Sequence, residues 1–385
     1  MAPVYSDATT DHYEIIQRTA QLDILPSLRT EAWTYHGTFP GPTIRARSGR
    51  ATSVRHRNEL PHPTVVHLHG GHTPADSDGY PMDLILPIGT TTTPQRSHGH
   101  GTTGTTAAPA YGERTYLYPN RQRAASLWYH DHRHSFTGPA VWRGLAGFHL
   151  IGDDIEDALP LPRGDRDIPL LISDRSFAVD GSFASEACST GRSATATSTS
   201  PPAERFDVII DFSAYSPGTS VRLRNILDTG PAADIMRFDV TGSLRRDDTT
   251  VPDQLAPLER LDPAAAVAER TFLFQLGPAG WSINGAPYQP GRALAQPRLG
   301  AVEIWRFITD FHHPVHVHLD PFQVVSRNNR PPGPFDRGWK DTVDVRPAEA
   351  VEVAVRFTDY PGPFMLHCHN LEHEDMAMMA DFTVT

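Results

Sequence analysis

Histidine carries most of the chemistry available to this chain. There are 20 histidines, and they form six H-x-H pairs: His67/His69, His98/His100, His130/His132, His132/His134, His316/His318 and His367/His369. His98/His100 sits in a Thr/Gly/His/Ala-rich stretch, and His132/His134 overlaps a better pair. The other four pairs each lie on or beside an apolar, strand-like run. Residues two apart in a strand share a face, so each pair projects two imidazoles in one direction. Imidazole nitrogen suits copper, zinc, iron and nickel. A single such pair is more often structural than metal-binding. Four pairs, two in the first third of the chain and two in the last, offer eight imidazoles, enough for a cluster of several metals.

The last pair belongs to a longer run, His367-Cys368-His369-Asn370-Leu371-Glu372-His373-Glu374-Asp375-Met376-Ala377-Met378. On a strand Cys368 faces away from its two neighbours. A soft thiolate, two imidazoles and a weak axial thioether make a blue electron-transfer copper. Cys368, His373 and Met378 supply three of these, each five residues after the last. The missing imidazole must come from elsewhere, and His313, just ahead of His316/His318, is the best candidate. Cys368 then serves one copper while His367 and His369 serve a cluster on the other face. Electrons taken singly at one site are wired through a few bonds to a site that spends several. Reduction of dioxygen to water needs such a store.

These side chains must be held by strands. Pro (35) and Gly (29) are abundant in the 385 residues and separate short apolar runs, the pattern of a β-rich protein. Thr52–Asn58, Val65–Leu68, Arg114–Tyr118, Leu127–His130 and Ala146–Ile151 read as strands of a first unit. Ile168–Ile172, Phe206–Phe212, Ser220–Ile226 and Ile235–Val240 read as strands of a second. Val302–Ile308, Phe322–Val325, Thr342–Val345, Ala350–Phe357 and Phe364–His367 read as strands of a third. Pro263–Ala268 reads as a short helical turn. The low-complexity stretch Ala184–Pro202 and the insert Gly89–Ala110 read as mobile or exposed loops. A β-sandwich needs roughly 100 residues, so the middle unit reads as reduced. The expected division is 1–160, 161–255 and 256–385.

The formal charge of −11 offers no basic footprint for nucleic acid or an anionic membrane. No apolar run reaches the length of a membrane span. The two cysteines, Cys188 and Cys368, exclude a disulfide framework; Cys188 reads as a free bystander. The first ten residues lack a basic region followed by an apolar stretch. The expectation is a cytoplasmic or spore-coat-associated protein rather than a classically secreted one.

The motifs His67-Leu68-His69-Gly70, Trp128-Tyr129-His130-Asp131-His132, His313-Pro314-Val315-His316-Val317-His318 and His367-Cys368-His369…Met378 resemble those of the multicopper oxidase family in order and spacing. The resemblance is to the subgroup of spore-coat laccase, bilirubin oxidase and phenoxazinone synthase. It extends to Thr38–Thr43, Ser77–Pro81, Arg143–Gly147, Gly338–Thr342, Asp174–Phe177 and Pro202–Asp207, and so covers nearly the whole chain. It implies an all-β fold of three cupredoxin-like Greek-key β-sandwich domains in series, here with a shortened middle domain. It implies four coppers as cofactors. His313, Cys368, His373 and Met378 hold the type 1 copper, and His67 and His316 the type 2 copper. His69, His130 and His367 hold one type 3 copper, and His132, His318 and His369 the other. Dioxygen reduction consumes protons, and the resemblance places Glu374 and Asp78 on the channels that deliver them. The alternative for each is an ordinary solvated loop carboxylate.

The implied partners are dioxygen and a small aromatic reductant: a phenol, an aminophenol or a bilirubin-like pigment. No Met-rich insert of the kind found in cuprous oxidases is present. The competing readings are an oxidase of Cu(I), Fe(II) or Mn(II), which needs acids such as Glu372 or Asp375 beside the metal donor, and a structural coat protein with little activity. The oligomeric state is open.

Overall fold

The computed structural model describes residues 1–91, 108–184, 201–226, 229–242, 247–278 and 280–385. Cys188, His98/His100 and most of the two low-complexity stretches lie outside the described residues.

Two β-sandwiches dominate. In the first, one sheet runs Tyr5–Ser6, Thr10–Leu22, Ala51–Asn58, Glu113–Tyr118, with Thr30–Tyr35 also paired to Thr10–Leu22. Alternation drives its burial: Tyr13, Ile15 and Gln17 point inward, as period-two side chains must when one face is covered. The facing sheet runs Gly41–Arg47, Ala146–Gly152, Ala125–Asp131, Val66–His69. Ile15, Tyr35, Val54, Tyr116, Leu127 and Tyr129 fill the space between.

The last sandwich pairs a sheet ordered Gly280–Ile283, Ala268–Gly277, Val302–Thr309, Ala350–Arg356, Gln323–Arg327 with one ordered Ala293–Ala295, Met379–Val384, Gly362–Cys368, His313–Val317, Thr342–Val345. Its core is aromatic. Phe357 and Phe382 lie 4.8 Å apart, and each packs on Trp305 at 5.5 and 5.3 Å. Each of these buried rings contributes on the order of 2–3 kcal/mol by area alone. Pro263–Ala265 forms a 3-10 turn, and the longest α-helix among the described residues is the seven-residue Thr137–Arg143. Among the described residues no helix is long and apolar enough to cross a membrane.

Residues 161–255 differ from expectation. Their one sheet among the described residues is the antiparallel pair Ser220–Arg224 and Asp234–Asp239. Ile168–Ile172 and Phe206–Phe212 are not strands. Apolar runs give β propensity, but a strand needs a neighbour to take its backbone hydrogen bonds, and none is paired to these. Their side chains stay largely in solvent: Ile168 is 63% and Val208 73% exposed.

Two edge strands position the chemistry. Val66–His69 closes one sheet of the first sandwich, and Thr342–Val345 closes one sheet of the last. Register does the rest. His67 lies opposite His130, and Trp128 opposite His69. In the last sandwich His316 lies opposite both His367 and Thr342, and Val315 opposite Cys368. Each sandwich therefore presents two of its H-x-H pairs side by side.

Candidate metal centres

The eight imidazoles of the four pairs meet where the two sandwiches face each other, and all are buried. His67 Nε2 lies 3.4 Å from His316 Nε2 across the junction. His367 Nε2 lies 3.2 Å from the Nε2 atoms of both His132 and His318. The His69 ring sits 3.6 Å from that of His316 and 4.9 Å from that of His369.

Most of these rings are oriented from behind. His67 Nδ1 donates to the backbone oxygen of Asp78 at 2.5 Å, His130 Nδ1 to that of Asp131 at 2.8 Å, and His316 Nδ1 to that of Asp341 at 2.7 Å. His318 Nδ1 meets the Asp78 carboxylate at 2.7 Å, and His367 Nδ1 donates to the Cys368 oxygen at 3.1 Å. Fixing one ring nitrogen leaves the Nε2 lone pair to face the shared centre, as metal-ligating histidines require. Asp78 reaches its place because Gly79 adopts φ +81°, where a Cβ would stand 2.3 Å from the Val66 oxygen.

The residues fit a metal cluster on two further grounds. His69 Nδ1, His130 Nε2, His132 Nδ1 and both ring nitrogens of His369 are buried without a hydrogen-bond partner. Such atoms cost about 1–3 kcal/mol each when unpaired, and a bound cation would satisfy them. Burial first, then in most cases neighbouring imidazoles, holds seven of the eight rings well below the ordinary histidine range, His130 to about 3 and His132 to about 4. They are neutral at physiological pH, the form that binds metal.

The grouping differs from the expected one at two positions. His367 joins His132 and His318, while His369 sits against His69 and His130, with its ring 5.3 Å from that of His130. The structure therefore gives His367 and His369 each other's expected neighbours. The cause is position along the chain. His367 is held inside its strand beside His316, whereas His369 lies past the strand's end and turns toward Trp128, 5.6 Å away.

Cys368 opens onto a separate donor set. Its Sγ lies 3.4 Å from His313 Nδ1 and 3.6 Å from His373 Nδ1, and these two nitrogens are 3.0 Å apart. The loop that returns His373 and Met378 is closed by backbone bonds, Met378 N–H to His373 O and Cys368 N–H to Met378 O. Within it Asn370 caps the short helix Leu371–Asp375 by accepting from Glu372 N–H. Met378 is fully buried in the same core as Cys368. The Asn370 N–H donates to the sulfur at 3.4 Å. Burial pushes the free thiol upward, so only a bound cation would hold it as thiolate. His313 Nε2 meets the Asp310 carboxylate at 3.1 Å. The Trp281 ring lies 3.9 Å from that of the half-buried His373, and the exposed Phe311 borders it at 5.9 Å.

Asp78 and Glu374 are not solvated loop acids: both are almost fully buried. Glu374 accepts from Thr137 Oγ1 at 2.7 Å and lies 3.2 Å from His367 Nδ1. Burial raises Asp78 well above the ordinary carboxylate range, with the charge of Asp83 adding to it. Burial acts on Glu374 in the same sense, but the imidazoles of His367 and His132 outweigh it and hold that carboxyl well below the ordinary range. Asp375 instead accepts from the backbone N–H groups of Thr137 and Gly138.

Two contributors went unassigned from sequence. Asp341 meets His69 Nε2 at 3.1 Å, and Arg205 forks onto the Asp341 carboxylate. Their only signal was membership of the segments Gly338–Thr342 and Pro202–Asp207. Burial opposes the charge of Asp341, yet Arg205 holds its carboxyl down to about 2.

Residues 17–105 and 257–385 each match a family model described as multicopper oxidase. The chain is 32% identical to a laccase of Bacillus stratosphericus, over 98% of this chain and 95% of that one. It is 29% identical to the bilirubin oxidase of Albifimbria verrucaria, over 97% of this chain and 76% of that one. Among solved structures, a laccase from Pediococcus acidilactici superposes with a TM-score of 0.83 at 25% identity, covering 100% of this chain and 91% of that chain. The alignment to the Bacillus stratosphericus laccase runs over 511 residues against the 385 of this chain, so that relative carries residues this one lacks.

Proposed function

Because the chain belongs to the multicopper oxidase family, a copper-binding oxidoreductase that uses dioxygen, we propose that it oxidises small aromatic donors one electron at a time beside Cys368 and reduces dioxygen to water at the eight-histidine cluster. One observation carries the reading. Adjacent residues of one strand end, Cys368 and His367, serve two different donor sets, with Sγ among His313 and His373 and Nε2 among His132 and His318.

Copper held in these sets supplies one-electron redox chemistry and, at the cluster, the electrons for dioxygen. In our reading His313, Cys368 and His373, with Met378 beyond them, hold a type 1 copper. His67 and His316 hold a type 2 copper. His69, His130 and His369 hold one member of a type 3 pair, and His132, His318 and His367 the other. The covalent path from Cys368 into His367 and His369 joins the sets, and the hydrogen bond from His367 Nδ1 to the Cys368 oxygen shortens it.

The protein adds water exclusion and protons. Every cluster imidazole is buried, and a dry site strengthens charge interactions. Asp78, whose carboxyl burial raises well above the ordinary range, is the group placed to hold a proton beside His318. Glu374, with Thr137 behind it, stands ready to pass protons on the opposite side. Trp281 lies against His373 with Phe311 at its own edge, and these rings favour a flat organic donor through stacking. Asp375 is committed to backbone N–H groups, which weakens the case for a metal-ion donor.

The test is direct. The copper-loaded protein should be blue from thiolate charge transfer, and it should consume one dioxygen for every four electrons taken from a phenolic donor, without releasing peroxide. A colourless loaded protein, or stoichiometric peroxide, would refute the scheme.

A further inference from the structure

Residues 204–207 belong to the stretch that forms no sandwich core, yet their side chains touch both sandwiches. Arg205 Nη1 and Nη2 bind Asp341 Oδ1 and Oδ2 at 2.6 and 2.5 Å. Its Nε donates to the Ser126 oxygen at 2.8 Å, and Nη1 also to the Ala203 oxygen at 3.0 Å. Glu204 pairs with Lys340, whose Nζ also lies over the Phe206 ring, and Asp207 accepts from Ser126 Oγ at 2.9 Å. Ser126 belongs to the first sandwich and Asp341 to the last. The fit leaves no slack: at Gly70, φ +80°, a Cβ would stand 2.6 Å from Asp341 Oδ2 and 2.8 Å from Arg205 Nη2.

The far side of Asp341 addresses the cluster. Its Oδ1 lies 3.1 Å from His69 Nε2 and accepts from Thr342 Oγ1 at 2.9 Å, and that hydroxyl itself lies 3.0 Å from His69 Nε2. His69 is thereby reversed relative to its companions. His67, His130, His316 and His318 have Nδ1 tied from behind, whereas His69 has Nε2 tied and a buried Nδ1 with no partner. A carboxylate gripped by a bidentate guanidinium is fixed in plane, so Oδ1 and the Thr342 hydroxyl that donates to it are both held facing His69 Nε2.

We propose that Arg205 is a positioning residue for the cluster: by clamping Asp341 it makes the carboxylate take the Nε2–H of His69 and commits His69 to offer its Nδ1 to the metal. Residues 204–207 thus link the reduced middle of the chain to the dioxygen-reducing centre. The inference rests on the reading of that centre given above. Partners behind metal-bound histidines typically matter 10- to 100-fold in affinity or activity.

The test uses the full copper-loaded chain with Arg205→Met and Arg205→Lys. Arg205→Met should keep its blue absorption and its KM for the aromatic donor. Its kcat should fall about 10- to 100-fold, with copper lost per chain or a new cupric EPR signal as the coupled pair is disturbed. Arg205→Lys keeps the charge but not the fork and should fall between. A purely structural ion pair would lower the melting temperature and leave EPR, copper content and kcat of the folded protein unchanged; that result for Arg205→Met overturns the proposal. If Arg205→Met does not fold, Arg205→Lys decides by the same readouts. A wild-type chain that takes up no copper would sink the underlying reading and this inference with it. A wild-type chain with all signals, beside an unaltered variant, would sink this inference alone.

Discussion

Cys368 and His367 are neighbours in sequence and part company in space: the sulfur lies 3.4 Å from His313 Nδ1, while the imidazole Nε2 lies 3.2 Å from His318 Nε2. Strand alternation alone produces this split. It predicts that Cys368→Ser, which keeps the shape and removes the soft ligand, abolishes the blue absorption and turnover with organic donors. Copper at the histidine cluster should persist, because none of its ligands is touched. Metal content and the visible spectrum check this together. Turnover surviving the loss of colour would mean that electrons enter elsewhere.

Glu374 predicts a different defect. It is buried between Thr137 and His367, at the cluster and away from the donor edge. Glu374→Gln keeps the volume and removes the proton-carrying group. Turnover should fall on the order of 10²-fold or more, the usual scale for a lost acid–base group. Anaerobic bleaching of the blue colour by donor should be unaffected, and recolouring on admission of oxygen should slow. Stopped-flow absorbance separates the two phases; an unchanged recolouring rate would remove Glu374 from the proton path.

The donor edge yields a third expectation. Trp281 packs 3.9 Å from His373 and 5.9 Å from Phe311. Ring pairs of this kind contribute about 0.5–1.5 kcal/mol. Trp281→Ala should therefore lower kcat/KM for a phenolic donor roughly 2- to 10-fold, chiefly through KM. Copper content and oxidation of an inorganic one-electron donor should not change. Equal losses with both donors would show that Trp281 supports the His373 loop and does not bind the aromatic ring.

Much of this site could be read before any coordinates, because strand periodicity is local. Four H-x-H pairs on apolar runs announce two imidazoles on one face each, and Cys368 between two of them announces the opposite face. What could not be read is long-range. Whether His367 or His369 joins His132 depends on where the strand ends and on how two sandwiches meet, and no spacing encodes that. Arg205 and Asp341 are 136 residues apart, and neither is unusual in its own segment. Ile168–Ile172 and Phe206–Phe212 have the composition of strands, but composition cannot supply the partner strand. The burial of Asp78 is long-range in the same way: it comes from the tight turn at Gly79 and from the second sandwich.

Acid should destabilise the copper-free chain. Seven cluster imidazoles lie well below 6.5 in the folded state, as do His56 and His373 at about 3 and His149 at about 4, burial being the main cause throughout. Between those values and 6.5 the unfolded chain binds protons that the folded chain refuses, so stability falls as pH falls. Some carboxyls act in the opposite sense. Burial raises Asp131 and Asp375 to about 7 and Asp381 to about 6, so the folded chain takes up their protons first and gains stability over roughly pH 7 to 4. The imidazoles outnumber these carboxyls, and the net slope follows them. The melting temperature of the copper-free protein should drop steadily from pH 7 to pH 4. Scanning calorimetry across that range checks the sign, and a flat or rising melting temperature toward pH 4 would mean that the cluster opens and takes up protons without unfolding.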